Sequence, residues 1–234
     1  MVFQGMGYDK PSLFVYSVVV RDSVGNTSEI DTLGLFCSDV RFRGKQNLMQ
    51  WQALRKMGSG YSLDSAKYRE VYMGVSIDDT ELFIHPPREL FRVLQFVPYP
   101  AIENNRSIGD TWSYDFPIGS IWREDEFFPV DSVETFHLSY KLVGDTVLNS
   151  MDSLTDTCYK IEAKSRSRFG VSEATYFLNV RKGLVYYRVN ALGKVFFEFS
   201  LIDKQIGIEH IMFNKTFTGF VIEDRRAFKP YKFR

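Results

Sequence analysis

From Val133 to Leu201, apolar and polar residues alternate through five consecutive segments separated by turn signals. In the first, Phe136, Leu138, Tyr140 and Leu142 hold one parity while His137, Ser139 and Lys141 hold the other. This period of two is what a strand with one buried face requires. The pattern predicts strands over Val133 to Val143, Cys158 to Ser165, Glu173 to Val180, Leu184 to Asn190 and Lys194 to Leu201, with a turn at Gly144-Asp145. Arg181-Lys182-Gly183 and Ala191-Leu192-Gly193 are of hairpin length, so these strands are neighbours in an antiparallel up-and-down meander.

The first half is less regular. Leu13 to Arg21 and Ser28 to Phe36 read as a hairpin across Asp22 to Asn26, and Val40 to Arg43 continues the β pattern. Over Asn47 to Met57, Leu48, Trp51 and Leu54 fit a helical stripe better than strand alternation, which predicts a short helix. Tyr68 to Val75 and Glu81 to His85 form a second predicted hairpin across Asp78-Asp79, stopped by Pro86-Pro87. Phe91 to Phe96 reads as a strand, and so does Trp112 to Phe116. Between them Pro98, Pro100, Asn104, Asn105 and Gly109 mark a crossing loop. The expected organisation is an N-terminal β region over 1–105 and a C-terminal meander over 106–234, or one continuous domain. The fold class is all-β with one or two short helices, a curved antiparallel meander sheet forming a half-barrel or two packed sheets.

Charge narrows the partners. Lys plus Arg and Asp plus Glu stand at 29 each, so no global field draws the chain to nucleic acid. No apolar run approaches the roughly 20 residues of a transmembrane helix. Met1 to Gly7 shows no basic segment followed by an apolar one, so no signal peptide is visible. A cytoplasmic protein and a mature exported one both fit that start. Cys37 and Cys158 lack any CxxC spacing and read either as a disulfide or as two buried thiols.

Catalytic patterns are weak. His85, His137 and His210 have no second histidine at metal-ligand spacing, Gly58-Ser59-Gly60 is not a nucleophile elbow, and no phosphate-binding glycine motif occurs. No catalytic residue, metal site or cofactor is expected. The acid runs Asp78-Asp79, Glu124-Asp125-Glu126 and Glu223-Asp224 put neighbouring carboxylates on opposite strand faces, unlike a glycosidase pair. Beside the middle run, Trp122, Phe127 and Phe128 form a candidate surface for a protein partner, or else plug the end of a barrel. The tail interleaves Arg225, Arg226, Lys229, Lys232 and Arg234 with Phe228, Tyr231 and Phe233, and reads as a solvated terminus or an anionic-surface grip.

One resemblance is specific to the second half. Gly109-Asp110-Thr111-Trp112, then Glu134 to Val143, Thr157 to Ile161, Thr175-Tyr176-Phe177 and Lys182-Gly183-Leu184-Val185 resemble, in order, uncharacterised envelope proteins of the Bacteroidetes type. Those proteins look like relatives of the lipoprotein-carrier (LolA-like) half-barrel, in which a curved sheet wraps an apolar cavity. The resemblance implies a periplasmic or outer-membrane protein whose leader has been removed, with a lipid or lipoprotein as partner. On it rests the first functional reading, a non-enzymatic binding protein of the envelope. Its pocket walls would be Phe136, Leu138, Tyr140, Tyr159, Ile161, Tyr176, Leu178, Phe197 and Phe199, which equally suit plain core. The alternatives are a structural subunit of an envelope complex, and a glycan hydrolase using Asp115, Glu124 and Asp125 near Trp112 and Trp122.

Overall fold

The computed structural model describes residues 6–8, 10–43, 46–58, 60–64, 72–77, 80–87, 91–118, 134–149 and 155–206. Among these described residues, thirteen strands make one antiparallel sheet. They are β1 (Ser12–Asp22), β2 (Thr27–Arg43), β3 (Gln46–Met57), β4 (Gly60–Leu63), β5 (Tyr72–Ile77), β6 (Glu81–Ile84) and β7 (Ala101–Glu103). Then follow β8 (Thr111–Ile118), β9 (Glu134–Asn149), β10 (Thr155–Ser167), β11 (Gly170–Asn179), β12 (Gly183–Ala191) and β13 (Val195–Ile206).

The strand order is β7-β6-β5-β3-β2-β1-β13-β12-β11-β10-β9-β8, with β4 hung on β3. The chain therefore starts in the middle of the sheet, winds to one edge, crosses to the other edge and winds back to pair β13 with β1. The sheet is not closed, but it curls until its two edges are joined by side chains. The Trp112 indole donates to the Ala101 carbonyl at 2.9 Å, and the Tyr114 hydroxyl donates to the Glu103 carboxylate at 3.0 Å. The result is a half-barrel with one main core on its inner face.

The strands of the C-terminal meander form as their alternation predicts, because their outer parity is exposed or half-buried and their inner parity is buried. Three expectations are corrected. Asn47 to Met57 is a strand, not a helix. Met49, Trp51 and Ala53 face the main core, while Leu48, Gln50, Gln52 and Leu54 on the other parity are buried too. A strand covered on both faces loses its alternation, and the spacing of Leu48, Trp51 and Leu54 then imitates a helix. The turn at Gly144-Asp145 is absent, since β9 runs through it: Lys160 pairs with Gly144 and Ile161 with Leu142, so Val143 is accommodated as a bulge. Phe91 to Phe96 is not a strand either. Arg92–Phe96 is a short 3-10 helix, preceded by Phe91 N–H to Pro87 O at 2.9 Å.

A second small cluster sits on the outer face, where Leu13, Val15, Phe36 and Leu54 gather with Tyr61, Leu63 and Ile202. Gly34 permits it: an added Cβ there would press into Leu54, Leu13 and Phe36. Cys37 and Cys158 are buried as thiols, not joined in a disulfide. Among the described residues no helix is long and apolar enough to cross a membrane.

Candidate functional site

The candidate pocket walls form adjoining rows across the inner face. One row runs Leu142, Ile161, Tyr176, Tyr187, Phe199, Val18 through five strand pairs, and the next runs Trp112, Tyr140, Ala163, Ala174, Val189, Phe197, Val20. Phe136, Leu138, Tyr140, Ile161, Tyr176, Leu178, Phe197 and Phe199 are all buried, and Tyr159 is partly buried. Tyr187 and Phe199 stack at 4.0 Å and Trp112 stacks on Tyr140 at 5.5 Å, which adds to the burial of these large rings.

Ala163, Ala174, Ser165 and Ser172 lie between the large rings as small buried residues, so the inner face has a trough. The chain's own segment between β6 and β7 fills it. Phe91, Val93, Leu94, Phe96, Val97 and Tyr99 are buried there. Phe96 lies 5.6 Å from Phe136 and 5.2 Å from Phe169, and Phe91 lies 5.2 Å from Phe197. An irregular segment leaves backbone carbonyls that need donors. The sheet supplies them from side chains: Tyr176 to Pro98 O, Tyr140 to Tyr99 O at 2.9 Å, Ser165 to Phe96 O at 2.9 Å and Trp51 to His85 O at 2.8 Å. Ile84 N–H to Pro100 O, at 3.0 Å, closes the base of the segment.

Sequence reading identified the aromatic rows but missed this filler and the small residues that make room for it. A signal for the second existed. In Glu162 to Ser167 and Gly170 to Thr175 the inward parity is only Ala, Ser and Gly, too small to close a core without material from elsewhere.

One end of the half-barrel is closed by the start of the chain. Met6 and Tyr8 are buried, Tyr8 stacks on Phe14 at 4.5 Å, and its hydroxyl accepts Leu184 N–H at 2.8 Å. Tyr16 donates to Leu184 O at 2.9 Å. The Lys182-Gly183-Leu184 motif is therefore gripped by two tyrosines. Lys204 donates to Met6 O at 2.7 Å and Arg181 O at 2.8 Å and sits 5.1 Å from the Phe14 ring. Partial burial, helped by the neighbouring Lys182 charge, lowers its pKa to about 8. Burial pushes Tyr8, Tyr16, Tyr140, Tyr176 and Tyr187 above the ordinary tyrosine value.

The outer face of β8 to β11 holds a shallow open depression of about 690 Å³, lined by Thr111, Ser113, Ser139, Lys141, Glu162 and Glu173 among others. Its carboxylates are engaged by lysines: Lys164 to Glu173 at 2.6 Å and Lys160 to Glu162 at 2.7 Å. Asp115 is exposed and pairs with His137 at 2.7 Å, while Trp112 is buried beneath. Glu124, Asp125, Trp122, Phe127 and Phe128 lie outside the described residues, as do His210 and the basic tail. Among the described residues, no three His, Cys, Asp or Glu side chains come together as a metal site.

No family model matches this chain, and no curated protein matches it. Among solved structures it is similar to the hypothetical lipoprotein YmcC from Escherichia coli, at 11% identity and TM-score 0.37 over 82% of this chain and 86% of that one. It is similar to a protein of Parabacteroides distasonis described as a "putative lipoprotein", at 11% identity and TM-score 0.47 over 87% and 98%. A "putative exported protein with YmcC-like fold" from Bacteroides fragilis is similar at 10% identity and TM-score 0.43 over 87% and 98%.

Proposed function

We propose that this chain is a non-enzymatic module of the bacterial envelope that binds a protein partner with its exterior, and that the inner aromatic rows are core. The envelope placement comes from the sequence resemblance carried by Gly109 to Trp112, Thr157 to Ile161 and Lys182 to Val185. One observation supports the choice of a protein over an apolar ligand: Phe91 to Pro100 already fills the trough over Phe136, Tyr140, Tyr176 and Phe197. An acyl chain gains about 0.8 kcal/mol per buried CH₂, while each large apolar side chain returned to water costs roughly 1.5–3 kcal/mol. Expelling this segment would consume what a ligand of ordinary length supplies. Recognition then falls to the outside, and Trp122, Phe127 and Phe128 are our proposed anchors.

Native mass spectrometry of protein purified from its own envelope tests this. The expected result is the mass of the chain alone and no binding of an environment-sensitive dye; a stoichiometric lipid adduct overturns the reading. A benzoylphenylalanine cross-linker at position 122 should give one discrete adduct in cells. That adduct should disappear when Phe127 and Phe128 are both changed to alanine, and its persistence would remove the anchors.

A further inference from the structure

The two halves of the chain build the two halves of the sheet. β1 to β7 stand together on one side of the strand order and β8 to β13 on the other. They meet first in a backbone ladder, β1 on β13, which runs from Ser12 opposite Ile206 to Asp22 opposite Val195. Elsewhere they meet by packing and side-chain bonds. Phe91 to Pro100 of the first half lies in the trough of the second, where Ser165 donates to Phe96 O and Tyr140 to Tyr99 O, both at 2.9 Å. At the seam Trp112 donates to Ala101 O at 2.9 Å, and no ladder joins β7 to β8 among the described residues. Cys37 in the first half and Cys158 in the second are free thiols. The chain itself, passing once from β7 to β8, is therefore the only covalent link between the halves.

The two ends of that link belong to different halves. Asn104 N–H donates to Thr80 O at 2.7 Å, and the Arg106 guanidinium turns back to Glu103 with its Nε at 2.9 Å, so this end is fixed to the first half. Gly109 N–H donates to Leu142 O at 2.7 Å and Leu142 N–H to Asp110 O at 3.0 Å, which fixes the other end to the second half. Ser107 goes with it, through its N–H to the Asp110 carboxylate at 2.9 Å and its carbonyl to Asp110 N–H at 3.0 Å. The reversal is left to Asn105 and Arg106. Asn105 takes φ 60°, a left-handed conformation uncommon for a residue with a side chain. An extended Asn105 relieves it and swings β8 away from β7 with both half-sheets intact. Short hinges under strain are what half-exchange between copies needs.

We infer that two copies of this chain exchange halves about Asn105 and Arg106, so that β1 to β7 of one copy close on β8 to β13 of the other. Every contact between halves is then remade across copies, the filled trough included, and the inner aromatic rows stay core. The occupant is a second copy because it alone carries both the β1 register and the Phe91 to Pro100 filler. The surface that joins them is a domain core cut in two: Val18 opposite Phe199 and Val20 opposite Phe197, all buried. Interfaces of that character are those of obligate dimers. In dilute protein the chain's own second half wins, since the link holds it at an effective concentration of about millimolar. Exchange therefore takes place while chains fold close together, and it persists because reversal must break the β1–β13 ladder.

Asn105→Pro tests the hinge, because proline holds φ at about −65° and forbids the closed turn. Sedimentation velocity should show this variant as a dimer at a concentration where the wild type is monomeric. Asn105→Gly tolerates the left-handed turn and should remain monomeric there. Exchange is told from side-by-side pairing by adding Ser17→Cys and Ser200→Cys, which oppose each other in the β1–β13 ladder. After oxidation an exchanged dimer should run as a covalent dimer on a non-reducing gel. Links confined within single chains, or a folded Asn105→Pro variant that stays monomeric, overturn the inference. If circular dichroism shows Asn105→Pro unfolded, the same cysteine pair in the otherwise wild-type chain decides. Refolding from urea at high protein concentration, followed by oxidation, should give covalent dimer, and dilute refolding should give monomer; monomer from both overturns exchange. The partner reading above concerns the exterior and stands or falls on its own cross-link.

Discussion

Tyr176 and Tyr187 are adjacent on the inner face, with ring centroids 6.0 Å apart, yet their hydroxyls differ. Tyr176 donates to the carbonyl of Pro98, whereas the buried Tyr187 hydroxyl has no hydrogen-bond partner among the described residues. Removing a donor from a buried carbonyl costs about 1–3 kcal/mol, while removing an unsatisfied hydroxyl relieves a desolvation penalty. Tyr176→Phe is therefore expected to destabilise the protein by that amount in urea titration, and Tyr187→Phe to leave stability unchanged or raise it. Equal losses would contradict the assignment of these bonds. Gly183 gives a different kind of test. Its φ is 85°, and an added Cβ would press against the Tyr8 hydroxyl. Gly183→Ala combines a left-handed backbone with that clash, so it should cost about 1–3 kcal/mol. The loss should shrink in a Tyr8→Phe background, which removes the nearest of the three Tyr8 atoms that the Cβ strikes.

Among the elements, the segment between β6 and β7 carries the most consequence for the least regular structure. Leu94 is fully buried beneath it, and Leu94→Ala should cost about 2–5 kcal/mol, as a core leucine does. A loss below about 1 kcal/mol in urea titration would mean that the segment is a surface cover and would reopen the apolar-ligand reading. The same segment shows where sequence reading stops. Strands of the C-terminal meander were legible because one face meets solvent: Ser139 and Lys141 are exposed where Leu138 and Tyr140 are buried. In β3 the outer residues Gln50 and Gln52 are also buried, so polarity no longer reports direction. The inner segment has neither period, since its residues are enclosed on several sides and flanked by Pro86, Pro87, Pro98 and Pro100. The aromatic rows could be named from alternation, but not what covers them, because that depends on pairing residues far apart in the chain.

At the scale of the molecule, packing so many tyrosines inside one half-barrel fixes how stability responds to alkali. Tyr8, Tyr16, Tyr140, Tyr176 and Tyr187 are buried and hold their protons above the ordinary pKa of 10.0. Above about pH 10 the unfolded chain loses these protons while the folded one keeps them, so the folded state binds more protons and stability falls as pH rises. Each such group contributes a slope of about 1.4 kcal/mol per pH unit. Five together give roughly 7 kcal/mol per unit, comparable with the whole stability of an ordinary domain. Lys204 acts in the opposite sense: its pKa is lowered from 10.5 to about 8, so between those values the unfolded chain binds the extra proton and stability rises. That gain is small, because the ammonium is only half-buried and water screens it. The expected profile of melting temperature against pH is therefore a shallow rise from about pH 8, then a steep cooperative collapse within one to two units above about pH 10. Tyr187→Phe should remove one tyrosine's share of the final slope without moving its onset. Lys204→Met should flatten the shallow rise and leave the collapse in place. A melting temperature that stays level beyond pH 11 would show that these hydroxyls reach solvent in the folded state, and the closed aromatic interior would have to be abandoned.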